Sequence, residues 1–283
     1  MEDNKNRNKK DKSELFDILK NNVLNVKKET LQLHLLAPET RIASSLSCVE
    51  IFVVLFYGNI LKYKPDDLQW EQRDRFIISK GHGAISLYPI LADVGYFDRA
   101  ELPKIGTKDS FLGGIPDPII PGFETVNGSL GHGLGVACGI ALGLRRKKCS
   151  ESVFVLAGDG ELSEGSVWEA VMFAGHNKLD NLVLIVDNNK IGMLDYCENI
   201  NDLCPLVEKF KAFRWHAEEV DGHDIEKLYA SLERLKNLRS SKPKMLVAQT
   251  IKGNGVSFLE NDPLCHIRTL TKEEVSSAIK EIK

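Results

Sequence analysis

The sequence predicts an α/β fold, a doubly wound parallel sheet with helices on both faces, on three observations. Short continuous apolar runs alternate with amphipathic stretches of helical period, the order that builds parallel sheets. Within the runs there is no polar alternation, as expected for strands covered on both faces. Several runs end abruptly in turns rich in Gly, Asp, Asn or Lys-Gly-His, and open α/β sheets bind ligands at the carboxyl ends of their strands.

Taken in order, residues 1–12 (MEDNKNRNKKDK) carry no apolar segment. They read as a disordered polar tail and not as a secretory signal, and a single domain is expected over residues 13–283. Leu15, Ile18, Leu19, Val23 and Val26 recur at near-helical spacing and predict a first helix. A second is expected from Ser47, because Ser47 and Glu50 stand at capping-box spacing ahead of the apolar run 51–56. The run 75–79 reads as a strand leading into Lys80-Gly81-His82-Gly83. Further strands are expected at 153–157, 182–187 and 245–250, with helices at 134–146, 164–177 and 225–238. Residues 104–130 are rich in Gly and Pro without periodicity, and a stretch that long inside a compact domain usually carries function.

The bulk properties narrow the function. With 43% hydrophobic and 27% charged residues, the 283-residue chain can bury an ordinary core. A net charge of −3 offers no basic excess for nucleic acid. No run approaches the roughly 18 apolar residues that span a membrane. Cys48, Cys138, Cys149, Cys197, Cys204 and Cys265 form no CxxC pair and read as reduced thiols, so a cytoplasmic setting is expected.

The strongest local signal is Gly158-Asp159-Gly160 directly after one strand, with Asp187-Asn188-Asn189 closing the next. Neighbouring strand ends would bring the Asp159 carboxylate and the Asn189 amide oxygen together. Both are hard oxygen ligands suited to Mg²⁺, or to Ca²⁺ as a substitute, and Mg²⁺ commonly completes its shell with phosphate oxygens. The glycines let a phosphate approach the backbone. A Gly-Asp-Gly triplet alone is also an ordinary turn; the pairing with Asn189, thirty residues on, is the distinctive feature.

That pairing resembles the fingerprint of thiamine-diphosphate enzymes of the transketolase family, and the similarity runs from about residue 30 to 266. The resemblance implies that Asp159, Asn189 and the Ile191 carbonyl hold the metal and that the Gly160 amide meets the diphosphate, with Gly158 in the same turn. It implies that His82, in Arg-Phe-Ile-Ile-Ser-Lys-Gly-His, and His266 contact the cofactor. Gly128-Ser129-Leu130, opening the Gly-Ser-Leu-Gly-His-Gly stretch, resemble the loop passing the cofactor's rings. Glu164 and Glu169 resemble acidic residues that link two active sites across a dimer interface, although a carboxylate in a helix's first turn is favourable anyway. His34, His132, His176, His216 and His223 match no catalytic position.

The resemblance also implies a partner. In the family a glutamate of a second α/β domain bonds the cofactor's pyrimidine and drives its activation. No such domain is expected in this sequence, so a separate pyrimidine-domain subunit would supply it, two copies of each chain assembling together. Two departures bear on the substrate. Arg41 and Ile115 fall where the family carries histidines that face the reacting centre. Ile115 cannot hydrogen-bond a donor hydroxyl but would pack a methyl, and Arg41 could hold a carboxylate bidentately. A 2-oxo acid such as pyruvate, or a 1-deoxyketose, would then be the donor. The alternative is local repacking, with Arg41 in a salt bridge. Three functions stay open: a two-carbon ketol- or acyl-transferring subunit, half of a pyruvate-using synthase, or a catalytically silent scaffold.

Overall fold

The computed structural model describes residues 2–283, with side chains from residue 12 onward. The polar tail expected at 1–12 lies almost wholly outside the described side chains. A long first helix, α1 (Glu2–Leu36), is followed by α2 (Ile42–Leu46) and α3 (Val49–Phe56). Five strands follow, β1 (Arg75–Ile78), β2 (Val153–Gly158), β3 (Leu182–Asn188), β4 (His216–Asp221) and β5 (Lys244–Gln249). They form one sheet in the order β1-β2-β3-β5-β4, every pair parallel. Between the strands lie α4 (Leu87–Asp93), α5 (Gly133–Arg146), α6 (Gly165–His176), α7 (Cys197–Asn201), α8 (Leu206–Ala212) and α9 (Ile225–Asn237). A last helix, α10 (Lys272–Glu281), begins with a complete capping box between Thr271 and Glu274.

Alternation along each strand builds two cores. Phe154 and Leu156 of β2 pack with α3 and α9 on one face. Val153, Val155 and Ala157 of the same strand pack with α5, α6 and α8 on the other, as the two-residue strand period requires. A third cluster joins α1, α2, α4 and α10. The expected doubly wound architecture is the observed one. Among the described residues no helix is long and apolar enough to cross a membrane.

Two local expectations are corrected. No capping box starts at Ser47. The apolar run begins as α3, whose preceding residue, Cys48, makes no side-chain cap. The Ser47 hydroxyl donates instead to the Asp187 carboxylate at 2.7 Å, and Glu50 pairs with Lys27 at 2.7 Å. Tertiary partners outbid the local cap. The edge strand β4 was not expected, because its sequence HAEEVD is half polar and only partly buried. Parallel pairing to β5 makes it a strand.

Candidate active site

Four loops meet at the carboxyl edge of the sheet: Ser79-Lys80-Gly81-His82 after β1, Asp159-Gly160 after β2, Asn189 to Ile191 after β3, and Thr250 to Lys252 after β5. Register places the ends level, Gly158 opposite Asp187 and Asn188 opposite Gln249. A cavity of about 320 Å³ opens there. It is lined by Lys80, His82, Leu130, Gly158, Asp159, Gly160, Glu161, Asn189, Ile191, Lys252 and His266, among others.

Its floor is an ion pair. The Lys80 ammonium meets the Asp187 carboxylate, both wholly buried, and also reaches the Ser44 carbonyl at 3.2 Å. Burial pushes the Asp187 carboxyl up, but Lys80 overrides this and holds it below the usual carboxylate range. The Thr250 hydroxyl also donates to Asp187. So does the Asn189 amide NH₂, at 3.1 Å, which leaves the amide oxygen as the group available elsewhere. That oxygen accepts only a long contact, 3.3 Å, from the Ile191 amide.

Asp159 sits beside this group. Its carboxylate accepts from the backbone amides of Gly160, at 2.7 Å, and Lys190. The second bond crosses from the β2 loop to the β3 loop and draws Asp159 next to Asn189. Burial, then the nearby Asp187 charge, pushes the Asp159 carboxyl up to about 6. A buried acid facing another acid is a place where a cation would be stabilised. The Ile191 carbonyl accepts from the Lys252 ammonium at 2.7 Å and keeps a second lone pair. Burial, then Lys80, lowers the Lys252 ammonium to about 8.

The donor set therefore fits a divalent ion: one carboxylate, one amide oxygen fixed by its own NH₂ bond, and one carbonyl. Among the described residues no group of three or more His, Cys, Asp or Glu converges as a metal centre, and this set is not of that kind. The backbone beside it is open. A side chain added at Gly160 would meet nothing closer than 3.9 Å, so a phosphate can approach this backbone, where the Gly160 amide itself donates to Asp159.

His82 and His266 stack edge to face, ring centroids 5.1 Å apart. The Ser44 hydroxyl lies 3.2 Å from Nδ1 of His266. Burial and then Lys80 lower His82 well below its ordinary value. Burial, then Lys252 and Arg41, lower His266 to about 3. Both rings are neutral near pH 7, so each can donate at one nitrogen and accept at the other.

The other expected residues, Arg41, Ile115, Gly128, Ser129, Glu164 and Glu169, do not line this cavity. Gly128 adopts φ +114°, and a side chain there would lie 3.5 Å from the Ile115 side chain. Ile115 is 52% exposed. Ser129 is exposed. Glu164 and Glu169 are exposed on and before α6, outside the cavity lining. Arg41 precedes α2 and is half-buried; its guanidinium makes no hydrogen bond or ion pair among the described residues, so the salt-bridge alternative is not what is observed. Lys80, Lys252, Asp187, Ser44 and Glu161 were missed from sequence. A signal existed for two: Lys80 and Asp187 are charges placed directly at the ends of apolar strands, where solvent exposure is not expected.

Fold and loop placement define an α/β domain with a polar ligand site at the strand ends. The family model described as transketolase, thiamine diphosphate binding domain, matches residues 42–282. The chain is 36% identical over 243 residues to the 6-deoxy-6-sulfo-D-fructose transketolase subunit of Clostridium sp. (strain MSTE9), covering 86% of this chain and 88% of that one. It is 40% identical over 241 residues to an apulose-4-phosphate transketolase subunit from Actinobacillus succinogenes, covering 85% and 86%. The transketolase structure of Campylobacter jejuni superposes with a TM-score of 0.86 at 28% identity, over 94% of this chain but 43% of that one. The chain thus spans less than half the length of that solved transketolase. It belongs to the transketolase family and carries the family's thiamine-diphosphate-binding domain.

Proposed function

We propose that this chain is the diphosphate- and magnesium-binding subunit of a two-chain, transketolase-like enzyme. It transfers a two-carbon ketol or acyl unit to an aldehyde or sugar acceptor, in the cytoplasm, and it acts with a separate subunit that carries the pyrimidine-binding domain, as two copies of each. The observation that carries the reading is the meeting of Asp159, Asn189 and the Ile191 carbonyl at one cavity edged by Lys80 and Lys252. Two similar relatives of matching length are named as transketolase subunits, which supports a partner chain.

Thiamine diphosphate, when bound, supplies the nucleophilic carbon of the reaction. This chain's residues hold and orient it. Asp159, Asn189 and Ile191 hold the metal, with Ca²⁺ able to stand in for Mg²⁺. The Gly160 amide and the Lys252 ammonium face the diphosphate. Leu130 and the loop beginning at Gly128 and Ser129 flank the rings. Neutral His82 and His266 offer hydrogen bonds without adding charge, and Glu164 lies toward the dimer interface.

A donor other than the usual hydroxyketose phosphate is favoured by one observation. Arg41 is a half-buried guanidinium with no partner among the described residues, and its charge acts on His266. The Ile115 side chain lies beside Gly81, the residue before His82. A cation and an apolar group there suit a 2-oxo acid with a methyl group. The test is a steady-state assay of the chain with its co-purified partner, thiamine diphosphate and Mg²⁺. Turnover of pyruvate supports this donor; efficient turnover of xylulose 5-phosphate with none of pyruvate refutes it. No turnover of either, with the partner bound, refutes the enzyme reading in favour of a silent scaffold.

A further inference from the structure

Glu161, like Asp187, is a buried acid of the site that has no part in holding metal or diphosphate, and unlike Asp187 it has no cation as a hydrogen-bond partner. It sits in the 3-10 turn Gly160–Ser163 after Asp159 and is 3% exposed. A carboxylate so placed is costly unless its lone pairs are used. Burial pushes its carboxyl above the ordinary range, while its hydrogen bonds pull it down.

The partners of that carboxylate come from three site loops. One oxygen accepts from the Gly131 amide at 2.9 Å and from the Ser79 hydroxyl. The other accepts from the Gly158 amide at 3.2 Å. Ser79 extends the network by accepting from the Gly133 amide at 3.1 Å. Ser79 directly precedes Lys80-Gly81-His82. Residues 128–133 are the loop that flanks the cofactor's rings in the proposed function. Gly131 has φ +86°, a conformation costly for other residues, and a side chain there would lie 2.6 Å from Glu164.

The anchoring is asymmetric. The turn that carries Asp159 has supports of its own: the Gly160 and Lys190 amides on its carboxylate, and its own amide donating to the Asp187 carbonyl at 3.2 Å. The loop at 128–133 leans on Glu161 and Ser79, with further bonds from the Ser166 hydroxyl to the Gly131 carbonyl at 3.0 Å and, where it enters α5, from the Val136 amide to the His132 carbonyl at 3.2 Å.

We infer that Glu161 is a positioning residue that, acting with Ser79, sets the loop 128–133 and the His82 loop for the ring portion of the cofactor, leaving the diphosphate end to Asp159. This rests on the cofactor reading proposed above. The consequence is a split between two ligands. Calorimetry of the full chain with its co-purified partner and Mg²⁺ would compare thiamine diphosphate with inorganic pyrophosphate. Losing hydrogen bonds to a charged group predicts that Glu161→Ala weakens thiamine diphosphate at least about tenfold. Pyrophosphate affinity should stay within about threefold of wild type. Glu161→Gln, whose amide oxygen still accepts from Gly131 and Ser79 while its NH₂ loses the bond from the Gly158 amide, should recover part of the loss. Ser79→Ala, a milder change, should show the same preference for weakening the larger ligand. Equal weakening of both ligands, or unchanged thiamine diphosphate affinity in Glu161→Ala and Ser79→Ala, overturns the inference. A wild-type chain that binds neither ligand overturns the cofactor reading beneath it.

Discussion

At the inner end of the cleft nearly every polar group has a partner of its own chain. Asp187 is met by Lys80, Ser47, Thr250 and Asn189, and Glu161 by Gly131, Gly158 and Ser79. Outside this network, Arg41 has no partner among the described residues, and in the loop before Gly128, Ile115, Ile119 and Val126 are 52%, 69% and 79% exposed. Buried polar groups must be satisfied within the fold, or the fold loses stability. Exposed apolar groups and an unpaired cation are under no such constraint. The inner network is fixed by folding, whereas these outer groups are free of that constraint.

That contrast can be broken most forcefully at Asp187. Replacing Asp187 by Ala strands the buried Lys80 ammonium and should cost about 3–5 kcal/mol of stability, the usual penalty for breaking a buried ion pair from one side. Urea unfolding would measure it, and a loss under about 1 kcal/mol would mean the inner network is not what the contrast requires.

A second effect lies outside that network. Fully buried His34 accepts from the Leu270 amide at 3.1 Å through Nε2 and meets the Thr40 hydroxyl at 2.8 Å through Nδ1. It thereby ties the segment before Arg41 to the segment after His266. Burial lowers it to about 4 from 6.5. The folded state therefore takes up this proton later than the unfolded chain. Its stabilising contribution is complete above pH 6.5 and is lost as pH falls toward 4, by up to about 3 kcal/mol. Comparing pH profiles of wild type and His34→Gln would expose it; identical slopes between pH 6.5 and 4 would count against it.

The smallest effects on stability belong to the outer groups. Arg41→Gln and Ile115→Ser should each change unfolding free energy by less than about 0.5 kcal/mol, as surface changes usually do. Their effect should fall on KM for the donor. A large stability loss in either would place these residues with the inner end.

Legibility from sequence followed the same division. The central strands were readable because they are buried on both faces and carry unbroken apolar runs, and Asp159 and Asn189 because each stands just past the end of such a strand. The Lys80–Asp187 pair was not, since 107 residues separate its members. No local pattern announces a contact that exists only after β1 and β3 have been brought into one sheet. Ser47 misled for the same reason: its spacing to Glu50 suits a helix cap, yet both side chains are claimed by distant charges. β4 stayed hidden because an edge strand with HAEEVD has no apolar run. Arg41 and Ile115 were visible only as departures from a resemblance, and their geometry alone distinguishes an unpaired cation from a salt bridge.

The measurement that bears most directly on the site is calorimetry of thiamine diphosphate with and without Mg²⁺, on wild type and Asp159→Ala. If two neighbouring strand ends grip one divalent ion that clamps the diphosphate, wild type binds only with Mg²⁺ and the variant loses that metal-dependent binding. Metal-dependent affinity of equal strength in Asp159→Ala would contradict the assignment.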